Sequence, residues 1–185
     1  MNRKHVFGFM LVVLCALPSA SQAQTCFKAK PLPDCKSFWI TELAGGVAMA
    51  GEWTSPFASG EVGLMVNLNK KHAVGGTGFL DVGDYPAFGI KGRYRYWLSK
   101  NFSIDAGLGA GAGERWLIMA DGSLVFQSWI GIGARIEHYG GDYPGEGYYA
   151  TAKLGGWPAI GATGVLAITG AILIAIAWVS IAGAG

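Results

Sequence analysis

The stretch GIKGRYRYWLSKNFSIDAGLGAG, residues 89–111, contains two runs of alternating polar and apolar residues joined by a short polar turn. In the first run, apolar residues alternate with Lys91, Arg93 and Arg95. Successive side chains of a β-strand point to opposite faces, so this spacing places the three cations on one face. Ser99-Lys100-Asn101 then joins the two runs as a hairpin turn. The stretch therefore predicts antiparallel β-structure with one charged face.

The same pattern recurs between residues 37 and 157. Short polar turns at 69–72, 99–101 and 127–128 alternate with four longer irregular segments. This alternation is typical of outer-membrane barrels, whose short turns face the periplasm. Three short turns and four long loops connect eight predicted strands, at residues 38–50, 61–69, 73–82, 88–98, 102–112, 117–126, 129–139 and 148–157.

Composition supports a barrel, since glycine accounts for 30 of 185 residues and charged residues for only 14%. Glycine relieves crowding on a curved wall. In a membrane barrel the charged face fills the lumen, whereas in a soluble sandwich it meets water. The polar face mixes glycines with long side chains of both signs, which favours a packed lumen. The predicted lumen charges are Glu42, Glu61, Lys91, Arg93, Arg95, Asp105, Arg135, Glu137 and Lys153.

Aromatic residues cluster near the ends of the predicted strands, where a membrane barrel carries interfacial girdles. This distribution favours a membrane barrel over a soluble one. The residues concerned are Trp39, Tyr94, Tyr96, Trp97, Trp129, Tyr148, Tyr149 and Trp157.

Charged side chains inside a membrane protein often mark a path for ions or solutes. Eight strands, however, enclose only enough room for side chains to fill. We therefore expect a plugged interior in which opposite charges neutralise one another. A small pore or transporter lined by Arg93, Arg95, Arg135 and Glu137 is the alternative. A third hypothesis is a soluble, lipocalin-like periplasmic binding barrel, tethered to the inner membrane by residues 165–181.

Residues 89–111 and IGIGARIEHY at 130–139 resemble small eight-stranded outer-membrane β-barrel proteins of bacteria. The resemblance covers residues 37–157 and lies in pattern, not in a diagnostic motif. It implies an all-β, antiparallel up-and-down transmembrane barrel in the outer membrane, with membrane lipid and the barrel-insertion machinery as partners. Such barrels usually finish on a strand with a terminal aromatic residue, whereas this chain continues for 28 residues after Trp157.

The segment before the predicted barrel has two parts. Residues 1–23 predict an export signal, because basic residues precede the apolar run Phe7–Leu17 and a small-residue cleavage pattern follows. Residues 24–36 form a Pro-rich leader. Within this leader, Cys26 and Cys35 predict a disulfide, since exported chains meet oxidising conditions.

The segment after the barrel, residues 158–185, contains no charged side chain. Its run of apolar residues from 165 to 181 predicts a helix that spans a membrane or lies beside the barrel. A further β-hairpin is the alternative, although the run is apolar on both faces.

The sequence contains no convincing catalytic pattern. His138-Tyr139 is similar to the His-Tyr-Ser stretch of outer-membrane lipid A deacylases, but Gly140 occupies the serine position, so the nucleophile is missing. Metal-ligand spacing, a phosphate loop and a basic-aromatic nucleic-acid surface are also missing from the sequence pattern. We therefore predict a non-enzymatic envelope protein without a cofactor or nucleic-acid partner, whose surface partner is unknown.

Overall fold

The structure, a computed structural model, describes residues 25–51, 55–83, 85–141 and 144–156. One sheet contains nine strands: β1 (Thr25–Cys26), β2 (Ser37–Gly51), β3 (Phe57–Asn67), β4 (His72–Val82), β5 (Ala87–Trp97), β6 (Phe102–Gly113), β7 (Trp116–Phe126), β8 (Ile130–Tyr139) and β9 (Gly145–Gly155). Strands β2 to β9 pair antiparallel in chain order, and β2 also pairs with β9. The expected all-β, closed eight-stranded up-and-down barrel is thus confirmed.

Closure of the barrel depends on the ladder between its first and last strands. This ladder runs from Glu42 opposite Gly155 to Gly51 opposite Gly147, with a register shift between Ala48 and Ala50. Such an irregularity increases local twist and bends the strand. It therefore helps the long strand β2 to follow the curve of the wall.

The short turns lie between β3 and β4, β5 and β6, and β7 and β8, close to the predicted positions. Two strands begin three or more residues earlier than predicted, β3 at residue 57 instead of 61 and β9 at residue 145 instead of 148. Phe57 pairs with Gly46, and Gly145 pairs with Tyr139. Their glycine-rich and proline-containing surroundings suggested loop, but the neighbouring strands extend far enough to pair with them.

The two faces of the barrel wall differ sharply in charge. The eight barrel strands contain twelve Asp, Glu, Lys and Arg residues, of which eleven are buried in the interior and Glu146, near the long-loop end, is exposed. Outward positions carry apolar side chains, such as Ile90 and Leu108, which are 76% and 66% exposed. This is the reverse of a water-soluble barrel, whose apolar side chains face inward.

The girdle prediction is wrong for two aromatic residues. Trp97 and Tyr149 are each only 4% exposed, because they occupy inward positions of β5 and β9. Trp39 and Trp129 lie on the outer surface as expected. Trp157 lies outside the described residues.

The leader crosses the short-turn end of the barrel. The predicted disulfide between Cys26 and Cys35 is present. Asn67 Nδ2, on β3, donates to the carbonyl of Cys35 at 2.9 Å. From the far side of the barrel mouth, Ser128 Oγ donates to the carbonyl of Ala29 at 3.2 Å. These contacts hold the leader across the opening.

The predicted export signal, residues 1–23, and the predicted C-terminal helix, residues 158–185, lie outside the described residues. Within the described ranges, the structure has no helix long and apolar enough to cross a membrane.

Candidate functional site: the charged interior

Arg93 on β5 forms the centre of an interior ion-pair network. Its Nη1 atom donates to Glu42 Oε2 at 2.8 Å and to Glu61 Oε2 at 2.7 Å. Its Nη2 atom donates to Glu42 Oε1 at 3.1 Å and to Asp105 Oδ2 at 3.0 Å. Glu42 lies on β2 and Asp105 on β6, four strands apart in an eight-stranded barrel. The connection Glu42–Arg93–Asp105 therefore links opposite walls across the lumen.

The cations beside Arg93 extend this network. Arg95 holds Asp105 in a two-point contact, with Nε–Oδ1 at 2.7 Å and Nη2–Oδ2 at 2.6 Å. Lys91 Nζ lies 2.6 Å from Asp121 Oδ2, and Lys153 Nζ lies 2.9 Å from Asp121 Oδ1. With Glu61 also bound to Lys91, four carboxylates face four cations. This balance lets charges stay buried, because a buried charge needs an opposite partner.

A second, smaller cluster lies around Arg135 on β8. Its guanidinium contacts Asp81 on β4, and its Nε atom lies 2.6 Å from Glu137 Oε1. The hydroxyl of Tyr139 donates to Glu137 Oε2 at 2.8 Å. The ring of Phe57 covers the guanidinium, and the ring centroid lies 4.4 Å from Arg135 Cζ. Asp81 and Arg135 thus form a second connection between separated strands.

Apolar side chains fill the interior on either side of the charges. The cluster nearer the short turns contains Ala29, Phe38, Ile40, Met65, Ala73 and Trp97. The cluster nearer the long loops contains Phe79, Ala87, Leu117, Met119 and Tyr139. The central network therefore lies between two apolar clusters. The smaller charge cluster lies at the level of the second one, where Asp81 pairs with Ala87 and Glu137 with Met119.

Gly107 on β6 provides room for one of these ion pairs. A Cβ atom at this position would lie 2.7 Å from Lys91 Cδ and 3.0 Å from Asp121 Oδ2. Both distances are shorter than an ordinary van der Waals contact. The absence of a side chain here allows Lys91 and Asp121 to meet.

The structure places all nine predicted lumen charges inside the barrel. Seven belong to the central network, and Arg135 and Glu137 belong to the second cluster. Sequence reasoning missed Asp81 and Asp121. Each lies two residues after a buried apolar residue of the same strand, Phe79 or Met119, so counting along β4 and β7 would have found both.

His138, considered for its similarity to the deacylases, lies on the outer face of β8. Its Nδ1 atom is 3.6 Å from Glu146 Oε1, and both side chains are partly exposed. Among the residues that the structure describes, no group of three His, Cys, Asp or Glu side chains is arranged to hold a metal ion.

No protein-family model matches the sequence, and no curated protein matches it. Among solved structures, the chain is similar to one described as "KdgM porin", with 8% sequence identity and a TM-score of 0.34. That match covers 62% of this chain and 98% of the other. The chain itself combines a closed antiparallel barrel with an apolar outer face and a filled, charged interior.

Proposed function

We propose that this protein is an integral β-barrel of the bacterial outer membrane, with a structural or surface-interaction role and no enzymatic activity. The outer wall carries the proposal: in the eight strands, Glu146 is the one Asp, Glu, Lys or Arg residue that faces outward. Soluble monomers rarely expose a continuous apolar patch above a few hundred Å². A belt around the whole barrel is far larger and requires a lipid environment.

The strand lengths support a membrane span. Six of the eight barrel strands contain eleven or twelve residues. With a rise of about 3.3 Å per residue and a tilt of about 40°, eleven residues extend about 28 Å along the barrel axis. This matches the apolar band of about 25 Å that outer-membrane barrels present to lipid.

The interior supports a plugged barrel over a pore. Arg93 connects Glu42 to Asp105 across the lumen, and an apolar layer lies on each side of this connection. The leader also covers the short-turn end. An ion would have to break several buried pairs to pass, which supports a structural role and leaves the long loops for partners.

The test is fractionation of cells that express the full chain, followed by gel electrophoresis with and without boiling. We expect the protein in the outer membrane, with faster migration when it is not boiled, since a closed barrel stays compact in detergent. Inner-membrane location without a heat shift would contradict the proposal and favour the tethered periplasmic barrel. In planar bilayers we expect no single-channel steps above background. Regular steps would instead support the pore.

A further inference from the structure

The short-turn end of the barrel is strongly basic. Among the described residues, its leader and turns contain six lysines and one acidic residue, Asp34. Asp34 lies 3.9 Å from Lys30 Nζ. One acid against six lysines leaves a surplus of five positive charges at this end. The lysines are Lys28, Lys30, Lys36, Lys70, Lys71 and Lys100.

Three of these lysines surround a cleft of about 180 Å³ between the leader and two of the turns. We call it the lysine cleft. Lys28 and Lys30 approach it from the leader, and Lys100 from the β5–β6 turn. Asp34, two apolar leader residues, Ala29 and Pro31, and the turn residues Asn101 and Gln127 complete the lining. Three lysines and one carboxylate line the cleft. Asp34 neutralises only Lys30, so the cleft keeps a net positive charge and suits a phosphate group.

A second cleft of about 200 Å³ adjoins the first and shares Lys28 and Ala29 with it. We call it the tryptophan cleft, because the outward-facing rings of Trp39 and Trp129 line it together with Phe27. Lys28 Nζ lies 5.6 Å from the centroid of the Trp129 ring. Lys28 thus lies where a polar cleft meets one whose outer part is aromatic.

The strand pairing explains why the tryptophan cleft exists. On the same edge of β2, β1 pairs as far as Phe38, and β9 pairs from Glu42 onward. The intervening residues 39–41 therefore lie between the two partner strands. Outward-facing Trp39 lines the cleft together with the inward-facing side chains of Glu42 and Arg95, which lie 3.6 Å apart, so the cleft extends into the barrel wall at this point.

We propose that the two clefts together bind one anionic phospholipid, with its phosphate in the lysine cleft and an acyl chain along the tryptophan cleft. This inference rests on the proposed membrane location, in which the outer wall faces lipid. Lysines near a membrane surface attract anionic headgroups, and tryptophan prefers the interface between headgroups and chains. Free phosphate would use the lysines but leave the adjoining tryptophan cleft empty, so the pair of clefts fits a lipid.

The test compares the full wild-type chain with two triple variants of equal charge change. K28Q/K30Q/K100Q removes the lysines of the cleft, whereas K36Q/K70Q/K71Q removes the other three at the same end. Each protein is folded in neutral detergent micelles that contain equal phosphatidylglycerol and phosphatidylcholine. Native mass spectrometry then measures the ratio of the two lipids retained, and heat-modifiable mobility verifies the closed barrel.

We expect the wild-type chain and K36Q/K70Q/K71Q to retain one phosphatidylglycerol in preference to phosphatidylcholine. Loss of the cleft lysines lowers this preference by about fivefold per lysine. An equal loss in both variants, or in neither, would overturn the proposal. Binding of soluble polyglutamate by the wild-type chain, lost in K28Q/K30Q/K100Q and accompanied by no preference for phosphatidylglycerol in its absence, would overturn the proposal in favour of an acidic protein segment.

The two proposals fail in different ways. A protein with a heat shift and an outer-membrane location but no lipid preference would overturn only the lipid site. A protein without heat shift and outside the outer membrane would overturn the membrane proposal and the lipid site with it.

Discussion

Replacing Arg93 by methionine removes the guanidinium at the centre of the interior network while keeping an extended side chain. The three carboxylates that Arg93 binds differ in the contacts that they keep without it. Glu61 keeps Lys91 at 2.5 Å, and Asp105 keeps its two-point contact with Arg95. Glu42 loses both of its hydrogen bonds to Arg93 and retains only longer contacts, at 3.6 Å and 4.0 Å. The cost therefore falls mainly on the Glu42 carboxylate.

Breaking one member of a buried ion pair costs about 3–5 kcal/mol, because the other charge stays buried without a partner. We expect Arg93→Met to lower the free energy of unfolding by this amount. Glu42→Gln alone costs less, about 1–3 kcal/mol, since Arg93 keeps two other carboxylates. In Arg93→Met/Glu42→Gln the unpaired carboxylate is gone, so part of the loss is recovered. The double variant is then expected to lose about 0.5–3 kcal/mol less stability than the sum of the two single losses.

The assay is urea unfolding of the refolded barrel in lipid vesicles, followed by tryptophan fluorescence and by heat-modifiable mobility. Lys70→Met is the matched control, because it removes an exposed cation in a turn and is expected to change stability by less than about 0.5 kcal/mol. Equal stability of Arg93→Met and this control would show that the network does not depend on Arg93. A double variant no more stable than Arg93→Met would show that the Glu42 carboxylate does not carry the cost.

Three further predictions concern the wall, the lumen and the leader. Leu108→Arg, near the middle of β6, is expected to destabilise the barrel in vesicles by about 2–4 kcal/mol, and Leu98→Arg at the barrel end by about 0–1 kcal/mol; equal urea midpoints would contradict a membrane span. Gly107→Val is expected to lower the free energy of unfolding by about 1–3 kcal/mol through overpacking. Gly92→Val is the control, because a Cβ at the outward-facing Gly92 makes only an ordinary contact at 3.8 Å. Urea unfolding measures both variants, and equal losses of stability would disprove the prediction. Asn67→Ala removes two hydrogen bonds to leader carbonyls, which is expected to cost about 1–3 kcal/mol. The backbone amides of the leader should then exchange faster with deuterium. Unchanged protection of these amides would show that other contacts hold the leader in place.

Local features of the sequence were enough to predict the wall of the barrel. A strand has a side-chain period of two, so Lys91, Arg93 and Arg95 had to share a face wherever the strand lay. Polar turns between alternating runs likewise required hairpins. The disulfide between Cys26 and Cys35 was predictable because both cysteines follow a predicted export signal. None of these properties depends on which distant strands pair.

Only the tertiary structure decided how the walls meet. Glu42 and Arg93 are 51 residues apart, and Asp81 and Arg135 are 54 apart, so their pairing depends on the register of every strand between them. The closure of β2 on β9 and the position of the leader across the barrel mouth are also non-local. Alternation fixes which face a side chain takes, whereas closure and register fix what it meets there.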